Sequence, residues 1–383
     1  MSFGFVLNPV SYHGYGALDN LELVVKDYEF KKIVIFADQF LKKEGLLEPV
    51  TKRLDAIDSL EYTFFTDIKP NPSIQNVLSG LKALKDYEAD GIIAIGGGSV
   101  IDCAAGSAII NTNPGFEDVR SLEGMADTKN FATPTIAIPT TAGTAAEVTM
   151  NYVITDEENQ KKMVCVDPHC VPVVAIVDPI MMESMPYGLS AATGMDALTH
   201  AIEGYITNGA NEISDMFHLK AIELIARNLA KSCDNDKDAR EKMAIAQYVA
   251  GMGFSNVGLG LVHSMAHPLG ALYDTPHGIA NAILLPTVLE YNAESTGEKY
   301  REIARAMGVK DVDNMSEEEY REAAIKSVKD LAIEVKIPKD LKEIVKEEDI
   351  DFLAESAMAD ACRPGNPREP KLEEIKELYK KLI

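Results

Sequence analysis

Short runs of apolar residues alternate with amphipathic stretches in the first half of the chain. The runs lie at 31–38, 91–99, 134–141 and 171–178, and each ends in polar residues or glycine. Runs of this length and apolar content are typical of strands that are buried on both faces of a sheet. The stretch 73–88 between two of them has helical periodicity. The alternation predicts an α/β domain with a parallel, doubly wound, Rossmann-like sheet.

The pattern changes after about residue 186, where the strand signals stop. Six stretches have helical periodicity, at 189–207, 212–232, 238–252, 279–291, 317–334 and 371–382. The segment 185–190 contains Pro, Gly and Ser, which favour a linker. We therefore predict two domains, a dinucleotide-binding α/β domain at 1–185 and an all-helical domain at 186–383.

The charge balance limits the partners that we expect. Aspartate and glutamate number 60 against 37 lysines and arginines, which gives a net charge of −23. Such a surface repels phosphate backbones and anionic lipid heads, so we expect neither nucleic acid nor a membrane as partner. No apolar run reaches the roughly 18 residues that a membrane span needs. The first ten residues also lack the pattern of a secretory signal.

The cysteines indicate a reducing compartment. There are five of them, an odd number, spread over the chain without CxxC spacing. This usage is typical of free thiols rather than of a disulfide framework. We therefore expect a cytoplasmic protein.

Two strand-to-helix turns could bind a nucleotide. The first, at 91–109, runs from an apolar strand through GGGS into a helix. Glycines let the backbone approach a ligand, and the free N–H groups at a helix start bind phosphate oxygens. The second turn, at 139–147, offers hydroxyls and a glycine for another part of the same nucleotide. Because GGGSxxD differs from the dinucleotide fingerprint, a tight turn without a ligand is the alternative.

Asp38 is the last residue of the first predicted strand, at the end where ligands of parallel sheets bind. A carboxylate there can accept hydrogen bonds from a ribose diol and would repel a 2′-phosphate, which favours NAD over NADP. An ordinary turn residue is the alternative interpretation of Asp38.

Five of the seven histidines lie between residues 200 and 277, and four of them indicate a metal site. Asp196 and His200 are four residues apart in a helical stretch, as are His263 and His267, and His277 follows. Spacing of four places each pair on one helix face. One carboxylate with two or three imidazoles suits a divalent first-row metal, and iron(II) and zinc both fit. A surface ion pair is the alternative for such a pair taken alone.

The remaining histidines and one nearby acid are interpreted as structural or solvated. His13, His169 and His218 have no comparable neighbours in the sequence. Glu203 lies one turn beyond His200 and could support a ligand, but we expect it to be solvated.

Several long motifs carry a resemblance to a known family. The chain resembles the iron-containing (group III) alcohol dehydrogenases over essentially its whole length. The motifs are GGGSVID, PTTAGTAAEVT, GMDALTHAIEGY, the stretch 249–278 and GNPRE.

The resemblance implies roles for individual residues. The implied metal ligands are Asp196, His200, His263 and His277. We expect catalysis to depend on His277 and on His267, which would relay a proton without being a primary ligand. The residues implied around NAD and the nearby substrate space are Asp38, Asn71, Gly97, Gly98, Ser99, Asp102, Thr140, Thr141, Thr144, Asn151 and Lys162. The residues implied along the substrate pocket are Asn151, Phe254 and Cys362.

The resemblance also implies a homodimer in which N-terminal strands pair, with Gly16 in the tight part of the segment 3–18. One departure is Ala105, where many relatives have a lysine, although Asp102 is present. Because backbone N–H groups make most phosphate contacts, we still expect NAD to bind.

The implied activity is NAD- and metal-dependent interconversion of short-chain alcohols or diols and aldehydes. Lactaldehyde and 1,2-propanediol are the expected pair, because a wall formed by Phe254 would leave little room beyond the carbon next to the carbonyl. Activity on 1,3-propanediol, butanol or ethanol is the first alternative. A lyase similar to dehydroquinate synthase and a metal-binding structural protein are further alternatives. The motifs match that lyase much less well, and the complete ligand set argues against a purely structural role.

Overall fold

The computed structural model describes residues 3–383, so Met1 and Ser2 of the segment assessed for a secretory signal lie outside it. The chain divides into two compact units, the first ending at Met185 and the second covering Pro186–Ile383. The strands are β1 Val10–His13, β2 Lys32–Ala37, β3 Glu61–Phe65, β4 Gly91–Gly96, β5 Thr135–Pro139, β6 Asn151–Asp156, β7 Lys161–Val166 and β8 Val174–Val177. The helices of the first unit are α1 Leu21–Asp27, α2 Gln39–Lys43, α3 Glu48–Leu54, α4 Ile74–Tyr87 and α5 Gly98–Thr112.

Six strands form one parallel sheet in the order β1-β8-β5-β4-β2-β3. Alternate residues of each strand face opposite cores. Val34 and Phe36 of β2 pack in the core formed with α4 and α5, whereas Ile33 and Ile35 pack in the core formed with α1 and α3. Because both faces are covered, the inner strands β2, β4, β5 and β8 consist mostly of buried apolar residues. The predicted doubly wound α/β fold is confirmed.

The sequence pattern did not predict β1, β3, β6 or β7. Of these, β6 and β7 form a separate antiparallel pair that joins Asn151 to Val166 at one end and Asp156 to Lys161 at the other. In β6 buried and half-buried residues alternate, since only one face is covered. The pair carries two of the residues that sequence analysis assigned to the cofactor and substrate space, Asn151 and Lys162.

The second unit is helical, and no strand occurs within 186–383. Its helices are α6 Tyr187–Ile206, α7 Glu212–Cys233, α8 Lys237–Val257, α9 Leu261–Tyr273, α10 His277–Asn292, α11 Lys299–Ala306, α12 Glu317–Glu334, α13 Ile350–Ala359 and α14 Leu372–Lys380. This confirms the predicted all-helical C-terminal region. The six predicted stretches correspond to α6, α7, α8, α10, α12 and α14, whereas α9, α11 and α13 were not predicted as separate helices.

Helix α6 lies in the middle of the second unit and packs against α7, α8 and α10. It is buried on nearly every side, from Ser190 through Ile206 with the exception of Thr193. Polar residues on such a helix are removed from water and need partners within the protein. This explains why Asp196, His200 and Glu203 all take part in the site described below.

Among residues 3–383, no single helix is long and apolar enough to cross a membrane. Helices α8 and α9 meet the length and composition criteria only as a pair, which is bent by 102° at the break between them.

Candidate metal centre and nucleotide-binding turn

Three helices of the second unit bring the four predicted metal ligands together. Helix α6 carries Asp196 and His200, α9 carries His263, and α10 begins at His277. One donor atom from each side chain lies within 4.8 Å of the other three. Three of these residues are buried, and the fourth, His277, is half-buried.

A glycine lets α10 approach α6 closely enough for this cluster to form. A Cβ atom at Gly278 would lie 2.5 Å from the carbonyl oxygen of Ala192 and 3.4 Å from the Cβ of Asp196. The nearer of these is a backbone atom in the middle of a helix, so it cannot move aside cheaply. Only glycine fits at this position, and it places His277 beside Asp196.

Glu203 is buried, so the expectation that it is solvated was wrong. Its side chain is 2% exposed. It accepts hydrogen bonds from Nδ1 of His263 at 2.6 Å and from the backbone N–H groups of Val262 and His263 at 2.6 and 3.3 Å. Because Nδ1 of His263 donates its hydrogen bond to Glu203, the lone pair of the ring lies on Nε2, which is directed towards the cluster. Burial raises the pKa of Glu203 to about 8, and the backbone N–H groups of Val262, His263 and Gly260 oppose that rise.

Asn281 is a second buried residue of the site that sequence analysis missed. Its Nδ2 lies 2.7 Å from Oδ1 of Asp196, 3.1 Å from Nε2 of His263 and 3.0 Å from Nε2 of His277. It follows His277 by four residues on α10, so the same spacing that revealed the histidines could have revealed it. One amide thus contacts three of the four predicted ligands.

Aromatic contacts fix the ring of His200. The Phe254 ring stacks on it with centroids 4.2 Å apart and planes inclined by 11°, and the His263 ring lies 4.6 Å away on centroids. Phe254 is 4% exposed, which agrees with a packing role as well as with the predicted pocket wall.

The donor set fits a divalent transition metal. Burial, followed by the neighbouring imidazoles, lowers the pKa of His263 well below its usual value, which keeps the ring neutral. A neutral imidazole has the lone pair that a metal requires. Three imidazoles and one carboxylate, with a carboxylate behind one imidazole, are typical of iron and zinc sites.

His267, Asp360 and Cys362 form a second group next to this cluster. Nδ1 of His267 lies 2.7 Å from Oδ2 of Asp360, and Oδ1 of Asp360 accepts the backbone N–H of Cys362 at 2.8 Å. The His267 and His277 rings are nearly parallel, with centroids 5.7 Å apart. The structure therefore places the predicted proton relay beside a predicted ligand and beside Cys362.

In the first unit the predicted nucleotide-binding residues meet at the carboxyl ends of three neighbouring strands. The register aligns Ala37 with Ile95 and Gly96 with Pro139, so β2, β4 and β5 end side by side. The residues that follow these three ends are Asp38, Gly97, Gly98, Ser99, Thr140 and Thr141. The loop after β5 also contains Thr144.

The start of α5 has the features of a phosphate-binding turn. Its N-cap residue is Gly97, which provides no side-chain cap for the first N–H groups. A Cβ on Gly98 would lie 2.9 Å from the Thr144 side chain, and one on Gly97 would lie 3.3 Å from that of Thr141. The exposed N–H groups and the missing side chains leave the backbone accessible to an anion.

Asn71 and Lys162 are linked to this turn by hydrogen bonds. The backbone N–H of Asn71 donates to the Ser99 hydroxyl at 3.2 Å, and Asn71 has a left-handed φ of 56°. Lys162 Nζ donates to the Thr155 hydroxyl at 3.0 Å, and that hydroxyl donates to the Asn71 carbonyl at 3.3 Å.

Asp102 and Asp38 each have a structural partner. Asp102 accepts the backbone N–H of Val153 at 3.1 Å and lines a small cavity with Ala105 and Asn151. Burial raises the pKa of Asp102 to about 7 despite that N–H group and Lys162. Oδ1 of Asp38 accepts the backbone N–H of Leu41 at 2.8 Å and caps α2. Asp38 is therefore a turn residue as well as a candidate ribose ligand.

The comparisons with known proteins define the class. Residues 9–179 match the family model for iron-containing alcohol dehydrogenase, and residues 190–383 match the model for the C-terminal part of the same family. The chain belongs to the iron-containing alcohol dehydrogenase family and is an alcohol dehydrogenase. The family predicted from the motifs is thus confirmed.

Individual relatives match over the full length. The chain is 55% identical to the lactaldehyde reductase of Escherichia coli (strain K12) over 380 residues, which cover 99% of each chain. It is 39% identical to the 1,3-propanediol dehydrogenase of Citrobacter freundii over 383 residues, which cover 99% of this chain and 98% of that protein. A crystal structure of a 1,3-propanediol oxidoreductase superposes with a TM-score of 0.96 at 38% identity, covering all of both chains.

Proposed function

We propose that this alcohol dehydrogenase interconverts lactaldehyde and 1,2-propanediol, with NAD as the hydride carrier and iron(II) held by Asp196, His200, His263 and His277. The observation that carries the chemistry is the close approach of these four donor atoms within the helical unit. The substrate is inferred from the 55% identity to the lactaldehyde reductase of Escherichia coli along the whole chain.

When bound, the metal supplies a Lewis acid for the substrate oxygen, and NAD accepts or supplies the hydride. The residues of the chain bind and orient these groups. Glu203 keeps Nε2 of His263 directed inwards, and Asn281 holds Asp196 near His277. Phe254 packs flat on His200, so that imidazole cannot rotate freely.

His267 is the residue that we assign to proton transfer. Because Nδ1 of His267 donates a hydrogen bond to Asp360, the lone pair of the ring lies on Nε2. This nitrogen can take the hydroxyl proton when an alcohol is oxidised, and it can supply that proton when an aldehyde is reduced. His277 contributes to turnover as a ligand beside this ring. Phe254 and Cys362 are assigned to the wall of the substrate pocket, and Asn151 is assigned to the substrate space as well.

The first unit provides the features that NAD binding needs. The N–H groups at the start of α5, opened by Gly97 and Gly98, are assigned to the pyrophosphate. Oδ2 of Asp38 is assigned to the adenosine ribose, since Oδ1 is engaged by Leu41. The remaining predicted contacts with NAD are assigned to Asn71, Ser99, Asp102, Thr140, Thr141, Thr144 and Lys162.

Iron(II) is preferred over zinc because the ligand set contains no thiolate and because the family is described as iron-containing. A homodimer through the N-terminal segment is supported by the position of β1 at the edge of the sheet. Phe3, Leu7, Val10 and Tyr15 of that segment expose apolar side chains. A cytoplasmic location is supported by the five free cysteines of residues 3–383.

The test combines metal analysis of protein purified without oxygen with a panel of aldehydes assayed under NADH. We expect about one iron per chain and the highest kcat/KM for lactaldehyde. A pocket wall at Phe254 predicts a graded loss with chain length, about 1–3 kcal/mol per misfitted methylene. A preference for branched or aromatic aldehydes, or full activity with zinc alone in the purified protein, would contradict the proposal.

A further inference from the structure

Asp360 is a buried carboxylate directly after α13, and both of its oxygens are engaged. Oδ2 lies 2.7 Å from Nδ1 of His267, and Oδ1 accepts the backbone N–H of Cys362 at 2.8 Å. Its side chain is 7% exposed and that of His267 is 8% exposed. An ion pair or hydrogen bond with so little water around it is stronger than one at the surface.

This contact determines which ring nitrogen of His267 carries the proton. An ionised carboxylate only accepts hydrogen bonds, so Nδ1 must be the donor to Asp360. In the neutral ring the lone pair then lies on Nε2, the nitrogen on the other side of the ring from Asp360. The opposite tautomer would set the lone pair of Nδ1 against the carboxylate at 2.7 Å, which is repulsive.

We propose that Asp360 is a positioning residue that holds His267 in the tautomer with the proton on Nδ1 and so makes Nε2 the proton acceptor for an alcohol substrate. The proton-transfer part rests on the proposed function, whereas the assignment of the tautomer rests on geometry alone. In oxidation the hydroxyl proton moves to Nε2, a hydride moves to NAD⁺ from the carbon that carries the hydroxyl, and the C=O bond forms. In reduction each of these transfers is reversed.

Asp360 also holds the His267 ring in one orientation, because their contact at 2.7 Å lies in a nearly dry environment. The same carboxylate fixes the turn to Cys362. Removal of the whole side chain would therefore disturb both the ring and the predicted pocket wall.

Asp360→Asn separates these two roles. The amide oxygen can still accept the Cys362 N–H, while the amide N–H₂ faces His267 and can only donate. We therefore expect the ring proton to move from Nδ1 to Nε2. Nε2 then has no lone pair and cannot accept a proton from the substrate. Asp351→Asn, on the exposed side of α13 where Asp351 pairs with Lys376 at 2.8 Å, is the matched control.

The first measurement is the ¹⁵N chemical shifts of the imidazole nitrogens in protein loaded with diamagnetic Zn²⁺. The His267 signals are identified by their loss in His267→Asn. We expect a protonated Nδ1 in the wild-type protein and in Asp351→Asn, and a protonated Nε2 in Asp360→Asn. A wild-type ring protonated on Nε2 would overturn the proposal, and this result does not depend on enzymatic activity.

The second measurement is a double-mutant cycle on steady-state alcohol oxidation. We expect Asp360→Asn to lower kcat on the order of 100-fold or more, as for loss of a general base, with the KM for NAD and the metal content unchanged. The variant with both substitutions should then be no slower than His267→Asn, because Asp360 acts through that ring. Losses that multiply in the double variant would show that Asp360 acts independently of His267. A wild-type protein that oxidises no alcohol would contradict the proposed function, and the tautomer measurement would still decide the assignment of Asp360.

Discussion

At the scale of single residues, the site depends on buried polar side chains that contact the predicted metal-ligating residues rather than the metal itself. Glu203 contacts His263 and the start of α9, and Asn281 contacts three of the four predicted ligands. Partners of this kind fix the tautomer and direction of ligands and commonly contribute 10–100-fold to metal affinity.

Glu203→Gln should weaken metal binding while the protein stays folded. The amide oxygen can still accept the N–H of Val262, but the amide N–H₂ then faces Nδ1 of His263 and cannot accept its proton. We expect the dissociation constant for the metal, measured by competition with a chelator, to rise about 10–100-fold. Glu223→Gln on α7, which replaces a carboxylate paired with Lys220 and Arg227 at the surface, is the control and should have the wild-type affinity. An unchanged affinity in Glu203→Gln would show that the contact does not support the metal.

Asp38→Gly should let the enzyme use NADP and weaken its use of NAD. The substitution removes the negative charge that would repel a 2′-phosphate. It also removes the cap of α2, but glycine at an N-cap costs only a few tenths of a kcal/mol. The measurement is the ratio of kcat/KM for the two cofactors, and Asp38→Asn, which retains a capping oxygen, should shift it in the same direction. A ratio unchanged in both variants would place Asp38 away from the adenosine ribose.

The sequence revealed the four predicted ligands because spacing of four marks one face of a helix. It could not reveal the role of Glu203, because a carboxylate one turn beyond a histidine has the same local pattern whether it is solvated or buried. Its partners are 59 and 60 residues away in the chain. Asn281 was missed because an uncharged amide does not indicate metal chemistry, although its spacing of four from His277 places it on the same helix face.

At the scale of elements, the start of α9 is held by residues from distant segments. Glu203 of α6 accepts the N–H of Val262, and Asn366, from the GNPRE motif, accepts the N–H of Leu261 at 3.2 Å. The N-cap residue Gly260 provides no side-chain cap, and a Cβ there would lie 3.0 Å from Glu203 and 3.1 Å from Asn366. The motif that resembled the family thus has a structural role, which is to position the helix that carries His263.

Gly278→Ala should disrupt the cluster through backbone contact rather than through chemistry. The added Cβ would lie 2.5 Å from the Ala192 carbonyl oxygen, so α10 must move away from α6 and carry His277 with it. We expect a destabilisation of about 1–3 kcal/mol in urea unfolding together with loss of bound metal. Gly188→Ala is the control, since no heavy atom lies within 4 Å of its added Cβ. Wild-type metal content in Gly278→Ala would contradict the close-packing argument.

Sequence patterns revealed the elements with the clearest environments. Strands covered on both faces and long amphipathic helices such as α7 and α12 were predicted. The spacing of His263 and His267 indicated helical backbone, but the bounds of α9 were not predicted, because its residues are buried from Leu261 through Leu269 and because it contains Pro268. The antiparallel pair β6–β7 was missed because one face of each strand is only partly covered.

At the scale of the whole molecule, His218 connects stability to pH. Its ring lies between α6 and α8, where a Cβ on either Gly204 or Gly253 would come within 2.3 Å of Nε2. Neither ring nitrogen has a hydrogen-bond partner among residues 3–383. Burial lowers the pKa of His218 to about 3, so the folded protein holds this ring neutral.

Stability should therefore fall as the pH decreases from about 6.5 towards 3. Between these values the unfolded chain takes up a proton at His218 and the folded protein does not, so the contribution is complete above 6.5 and is lost below it. The measurement is the urea midpoint of metal-free protein from pH 7.5 to 5. His218→Asn should show a weaker dependence on pH, and an identical dependence in both proteins would refute the assignment.

The central claim is that metal bound at Asp196, His200, His263 and His277 drives NADH-dependent reduction of lactaldehyde. The most direct measurement is the rate of NADH oxidation by lactaldehyde in protein stripped of metal by a chelator and titrated with iron(II) without oxygen. We predict that the stripped protein is inactive and that the rate returns and saturates at about one iron per chain. A stripped protein that keeps the full rate, or one that iron(II) cannot restore, would contradict it.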